Sequence, residues 1–140
     1  MKIVIPEKRI QLDSMDFIVR WGEMDALGHV NNVVYFRYME TARAAWLSKI
    51  NIKLGENNES FVIANTFCNY LIPITFPSTI TVDTFVANVG NSSAEFVHEF
   101  TEKSSPEKPL AIGLCTGVWV NIKSGKSLSL PIKITKFFEQ

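Results

Sequence analysis

In Trp21-Gly22-Glu23-Met24-Asp25-Ala26-Leu27-Gly28-His29-Val30-Asn31-Asn32-Val33-Val34-Tyr35-Phe36, polar residues crowd against apolar ones. The run leading into it sets Asp16, Ile18 and Arg20 against Phe17, Val19 and Trp21. That period of two predicts a half-buried strand from Asp16 to Trp21. The run leading out predicts a helix from about Asn32 or Val33 to Lys49. Most of its residues are apolar, and Arg37, Thr41 and Ser48 fall on a narrow polar stripe near Glu40 and Lys49. A helix apolar over most of its circumference is expected to be buried on most sides. Between strand and helix lie a carboxylate (Asp25), a glycine (Gly28), an imidazole (His29) and two carboxamides (Asn31, Asn32). A helix start leaves four backbone N–H groups without intrahelical partners, and its dipole favours negative charge there. A carboxylate, a turn glycine and free N–H donors at one junction suit the holding and attack of a carbonyl compound.

The 140 residues fit one domain, 1–140, with a sizeable core. Fourteen basic and fourteen acidic residues leave no net charge, and no basic cluster stands out, which argues against a nucleic-acid binder. No run of about 18 apolar residues predicts a membrane span, and the first residues lack the apolar run of a signal peptide. The expected location is the cytoplasm. Cys68 and Cys115 are far apart and match no metal-ligand spacing, so both read as buried small apolar residues. The two histidines have no ligand spacing either, and no glycine-rich phosphate loop is present. No metal and no dissociable cofactor are expected.

The remainder is strand-like. Met1 to Asp13 reads as a loose arm or an edge strand. Phe61 to Ile72, Thr79 to Val89, Ser93 to Glu102 and Leu110 to Ile122 are rich in β-branched and aromatic residues or alternate. Gly90-Asn91 suggests a hairpin, and Ser104 to Pro109 reads as a loop. The last of these strands carries Ala111, Gly113, Cys115 and Gly117 at one parity, a face that lets a backbone or helix approach closely. Pro131 to Phe138 suggests a short terminal helix with Pro131 in its first turn. One strand, one helix and four long strands predict an α+β fold: a curved antiparallel sheet wrapped around one long central helix. A single sheet cannot cover so apolar a helix, so a homo-oligomer is expected.

The segment from Arg20 to Phe36, continuing through Tyr38-Met39-Glu40-Thr41-Ala42-Arg43, resembles the signature of the hotdog-fold acyl-CoA thioesterases, nearest the 4-hydroxybenzoyl-CoA thioesterase branch. The resemblance implies a hotdog fold, dimers with a continuous sheet and often tetramers. It also implies hydrolysis of a coenzyme A or acyl-carrier-protein thioester, with a catalytic role for Asp25. Two positions depart from relatives. The plant acyl-carrier-protein enzymes have Asn two residues after the Asp, where this chain has Leu27. Many relatives carry Tyr-Leu-Arg-Pro where this chain has Tyr70-Leu71-Ile72-Pro73, so any job of that Arg is missing.

Each residue also has a structural reading. Asp25 suits a turn cap; as nucleophile it would form an anhydride, and as general base it would activate water. His29 is an acid–base candidate by its ordinary pKa, and equally a group that shapes the loop. Asn31 and Asn32 read as helix-start residues, either of which can present a carboxamide to substrate. Backbone N–H groups of Asn32, Val33 and Val34 are the candidates for polarising the carbonyl. Tyr35 and Tyr38 read as core aromatics whose hydroxyls need partners, and as candidates for lining a substrate pocket. Glu40 has the spacing to pair with Arg37 and Arg43 on the helix, or across a subunit interface. His98 reads as a satisfied core or interface histidine. Glu23 shares charge with Asp25 but matches no motif position. Two other functions fit the same fold: an acyl-thioester binder without catalysis, and a dehydratase. The dehydratase needs a catalytic His on the central helix, which this chain lacks.

Overall fold

The computed structural model describes residues 3–139. Its elements are β1 (Ile10–Ile18), α1 (Asn32–Lys49), β2 (Glu59–Tyr70), β3 (Thr79–Ala87), β4 (Ser93–Glu102), β5 (Ser105–Asn121) and α2 (Ile132–Thr135), with short 3-10 turns at Trp21–Glu23 and Glu56–Asn58. The strands form one antiparallel sheet in the order β1-β3-β4-β5-β2, which leaves β1 and β2 as its edges. Bulges at Gln11/Asp13 and Ile63/Asn65 bend these two edge strands locally. The chain is thus α+β: one long helix packed on a five-stranded antiparallel sheet.

α1 lies within about a residue of the bounds its apolar period predicts. It starts cleanly because the Asn31 side chain accepts the Val33 N–H at 3.1 Å, an N-cap contact. Its sheet-facing side is built from Val34, Tyr35, Tyr38, Met39, Ala42, Trp46 and Leu47. The first turns pack with Val19, Ile80, Val82, Phe100 and Ala111; the last turns pack with Phe96, Cys115, Trp119, Ile134 and Phe138. The small-residue parity of β5 does face the helix. Met39 lies so close over Gly113 that a Cβ there would collide with the Met39 sulfur. α2 and the turn after it close one end, where Phe138 stacks on Trp46 at 5.9 Å.

Several expectations change. In the single chain, α1 is not covered on every side: Val33, Arg37, Glu40, Ala44 and Ser48 form an exposed stripe. The first strand runs Ile10–Ile18 rather than Asp16 to Trp21. Its pairing with β3 ends at Ile18↔Thr79, and the chain then turns into the 3-10 segment, leaving Trp21 exposed. Phe17 and Val19 still point inward, as the alternation predicts. The segment Ser105 to Pro109 is strand, not loop. Register shifts opposite Phe100, Thr101 and Glu102 accommodate Pro106 and Pro109, which cannot donate to a ladder. The terminal helix proper is only Ile132–Thr135. No helix among the described residues is long and apolar enough to cross a membrane.

Candidate active site

Beyond β1 the chain makes a tight loop whose shape depends on Asp25. Asp25 Oδ1 accepts the backbone N–H of Leu27 at 2.8 Å and of His29 at 3.1 Å. The Asp25 N–H donates to the His29 carbonyl at 2.7 Å, and the Gly28 N–H to the Asp25 carbonyl at 3.2 Å. Closing that turn puts Gly28 at φ +76°, a conformation glycine adopts without strain. The Val30 N–H then donates to the Ile74 carbonyl at 2.8 Å and pins the loop to the β2–β3 connection. The turn-capping and chemical readings of Asp25 are therefore compatible. One oxygen holds the loop, and Oδ2 accepts no hydrogen bond among the described residues.

Asp25, His29, Val30, Asn32 and Tyr35 share an open cleft of about 350 Å³ with Tyr70, Leu71, Ile72 and Pro73. His29 lies in this cleft, but its backbone, not its imidazole, ties the loop together. Asn31 does not present its carboxamide to the cleft, because its Oδ1 is spent on the Val33 N–H. Of the three donors expected at the helix start, two are engaged. The Val33 N–H binds the Asn31 side chain, and the Val34 N–H binds the Asn31 carbonyl at 2.9 Å. The Asn32 N–H has no partner among the described residues, and Asn32 lines the cleft.

The two tyrosines separate. Tyr35 is buried at the back of the Asp25 cleft, edge-on to Tyr70 at 4.9 Å, and burial pushes its hydroxyl pKa up. Tyr38 is not part of this cleft. Its ring stacks on Phe17 of β1 at 4.3 Å, and its hydroxyl donates to Glu23 Oε1 at 2.8 Å. Burial first, and the Glu23 carboxylate second, drive the Tyr38 pKa well above its ordinary value. Glu23 is likewise not a bystander. Its Oε1 also accepts the Arg20 N–H at 2.7 Å, and its carbonyl accepts the Asn31 N–H at 2.9 Å, so it clasps both ends of the loop to α1.

The helix-surface ion pairs are absent: no salt bridge joins Glu40 to Arg37 or Arg43 among the described residues. Arg43 instead turns inward, its Nη1 donating to Nε2 of the fully buried His98 at 3.3 Å. His98 Nδ1 then carries the proton and donates to Thr84 Oγ1 at 3.1 Å. His98 is thus a satisfied core histidine. Cys115 is fully buried and Cys68 partly so, and burial raises both thiol pKa values. Val30, Tyr70, Leu71, Ile72 and Pro73 are the cleft residues not singled out as site candidates. The signals for the last four are the Tyr70-Leu71-Ile72-Pro73 segment, aligned with the Tyr-Leu-Arg-Pro of relatives, and the stop of the strand pattern at Pro73.

One long helix on a five-stranded antiparallel sheet is the architecture of the hotdog-fold thioesterases. The comparisons agree. The sequence model of the thioesterase-like superfamily matches residues 19–138, and the chain belongs to that family. The chain is 33% identical over 112 residues to the protein YsmA of Bacillus subtilis (strain 168), covering 79% of this chain and 74% of that protein. It is 27% identical over 125 residues to the long-chain acyl-CoA thioesterase FadM of Escherichia coli (strain K12), covering 87% and 93%. Among solved structures, the PA2801 protein of Pseudomonas aeruginosa superposes with a TM-score of 0.86 at 34% identity, covering 90% of this chain and 97% of that one.

Proposed function

We propose that this protein hydrolyses acyl-CoA thioesters to the free acid and coenzyme A, with Asp25 as the catalytic carboxylate. The observation that carries the reading is the pairing of a free Asp25 oxygen and the unpartnered Asn32 N–H in one cleft. The thioester carbonyl sits at the start of α1 with its oxygen on the Asn32 N–H. In the general-base form, Asp25 Oδ2 takes a proton from water as the water oxygen bonds to the carbonyl carbon. The charge that moves onto the carbonyl oxygen is held by the Asn32 N–H and the positive end of the helix dipole. The tetrahedral species collapses, the C–S bond breaks, and the thiolate leaves and is protonated. In the nucleophilic form, Oδ2 bonds to the carbon directly, the thiolate leaves, and water hydrolyses the resulting anhydride. Both forms use the same two groups. Tyr35, Tyr70, Leu71 and Ile72 make the wall beside the carboxylate largely apolar, which suits an aliphatic or aromatic acyl group.

A dehydratase is disfavoured because α1 carries no histidine. A binder without catalysis has no need of a carboxylate with an open oxygen beside a free donor. The test is a screen of purified protein against short, medium, long and aromatic acyl-CoAs, reading released thiol. Turnover on at least one class is expected; binding without thiol release would favour the binder.

A further inference from the structure

The Asn32 N–H offers a thioester oxygen one donor, while a carbonyl oxygen has two lone pairs. Four polar side chains besides Asp25 line the same cleft: His29, Asn32, Tyr35 and Tyr70. Tyr35 is buried, and its hydroxyl meets the Ile74 backbone. Tyr70 differs. It is the last residue of β2, and it is 47% exposed. Its ring stands edge-on to Tyr35 at 4.9 Å. Partial burial raises its pKa, Cys68 and Tyr35 add to the rise, and the Asn32 side chain opposes it as a hydrogen-bonding partner. The phenol is therefore protonated across the neutral range. A side-chain partner that lowers a tyrosine pKa donates to the phenol oxygen, which leaves the O–H of Tyr70 for another acceptor. The residue whose side chain meets this hydroxyl is the one whose backbone N–H is unpartnered. Three ties hold the arrangement. Tyr70 pairs with Ala111 at the end of the β2–β5 ladder. The Leu71 and Ile72 N–H groups both donate to the Leu110 carbonyl at 3.0 Å. The Ile74 carbonyl takes the Val30 N–H from the Asp25 loop.

We propose that the Tyr70 hydroxyl is the second donor to the thioester carbonyl oxygen, beside the Asn32 N–H. The proposal rests on the thioesterase reading above and deepens it by adding a catalytic residue. Of the four residues that the end of β2 brings to the cleft, Tyr70, Leu71, Ile72 and Pro73, only Tyr70 has a polar side chain. Ile72 stands where many relatives carry an arginine, so no guanidinium competes with the phenol there. As water or Asp25 Oδ2 bonds to the carbonyl carbon, negative charge moves onto the carbonyl oxygen. The Tyr70 O–H bond to that oxygen strengthens, and the proton stays on the phenol. When the C=O bond re-forms and the C–S bond breaks, the charge leaves with the thiolate and the hydroxyl is unchanged. A tyrosine hydroxyl is one of the side-chain donors suited to this work, because its contribution grows with the charge it faces.

The experiment compares wild type, Tyr70→Phe, His29→Gln and Asp25→Asn on an acyl-CoA, and titrates each with two unreactive analogues of the same acyl chain. One is a trifluoromethyl ketone, which forms a tetrahedral adduct; the other is a thioether, which has no carbonyl oxygen. Tyr70→Phe removes only the hydroxyl and keeps the ring against Tyr35. Its kcat should fall roughly 10²-fold, the size of one oxyanion donor, with KM close to wild type. Its affinity for the ketone should fall by a similar factor, as for a contact made in the transition state, and its affinity for the thioether should not change. A near-normal kcat in Tyr70→Phe would overturn the assignment. So would equal losses on ketone and thioether, which mark a role in shaping the cleft, or a loss in His29→Gln with Tyr70→Phe unaffected. The two readings separate. If Asp25→Asn loses turnover and Tyr70→Phe does not, the hydrolase stands and the Tyr70 assignment falls. If wild type cleaves no acyl-CoA yet prefers the ketone through Tyr70, the hydrolase reading falls and the contact stands. No turnover and no preference for the ketone would overturn both.

Discussion

Asn32 allows a backbone group to be tested by mutation. It is the first residue of α1, where proline is tolerated because its missing N–H has no intrahelical use. The preceding Asn31 sits at φ −59°, ψ 139°, a conformation that proline accepts in its neighbour. Asn32→Pro should therefore keep the helix and delete the proposed oxyanion donor. The expected result is a kcat lower by roughly 10²–10³ with an unchanged melting temperature, the usual size for one such donor; a near-normal kcat would remove Asn32 from the mechanism. His98 makes a different prediction. Burial, then the neighbouring Arg43 guanidinium, lowers its pKa from 6.5 to about 3. The folded chain keeps it neutral while the unfolded chain takes up a proton as pH falls below its ordinary pKa. Its stability contribution is therefore full above about pH 6.5 and is lost on the way down to 3, at about 1.4 kcal/mol per pH unit. Urea titrations at pH 7 and pH 5 should show this loss in wild type and a shallower one in His98→Gln. Equal slopes would refute it. The turn-cap reading of Asp25 and the helix-start reading of Asn31 held, because each side chain answers to its neighbours in the chain. Other readings failed where the partner comes from elsewhere. Tyr35 and Tyr38 are one turn apart, yet Phe17 and Glu23 hold Tyr38 at a different cleft, and His98 draws Arg43 away from Glu40.

At the scale of the element, α1 was legible to within about a residue because a cap, an apolar period and terminal polar residues agree. β1 and β5 were not, because their ends are set by pairing partners. Ile10 to Asp13 has little pattern of its own and becomes strand by pairing with β3. Ser105 to Pro109 carries the composition of a loop and is carried into β5 by bulged pairing with β4. The helix–sheet contact makes the sharpest element-scale prediction. Gly113→Ala places a methyl against Met39, so α1 must lift or Met39 must leave its rotamer. The expected cost is about 1–3 kcal/mol, seen as a lower midpoint in thermal or urea unfolding. An unchanged midpoint would mean that α1 does not sit as close to β5 as described. The Glu23–Tyr38 clasp belongs here too. Tyr38→Phe keeps the stacking on Phe17 but leaves Glu23 one donor short, so it should loosen the loop and lower kcat more than it lowers the melting temperature.

For the whole molecule, two surfaces of the single chain are left incomplete. The exposed stripe of α1 includes Val33 and Ala44, and β2 is a long edge strand with Val62 and Ile63 exposed. An unpaired edge with apolar side chains is a template for another strand. A homodimer that joins these surfaces is the expected state, and sedimentation velocity at micromolar concentration should show it. A monomer there would contradict it, and Ile63→Lys should shift the balance toward monomer. The general architecture and the family were legible in the sequence because the junction motif and the element order are local patterns. The cleft between β1 and α1 was not, since it joins residues far apart in the chain. The central claim is that this fold hydrolyses thioesters through Asp25, and the most direct measurement is kcat of Asp25→Asn on an acyl-CoA that wild type cleaves. The Asn carbonyl oxygen can still accept the Leu27 and His29 N–H groups, so the loop should hold and melting should not change. With the base or nucleophile gone, kcat should fall roughly 10²–10⁴-fold while KM stays close to wild type, and Glu23→Gln, which keeps its acceptor for Tyr38, should retain most turnover. A near-normal kcat in Asp25→Asn, or a loss confined to Glu23→Gln, would contradict the account.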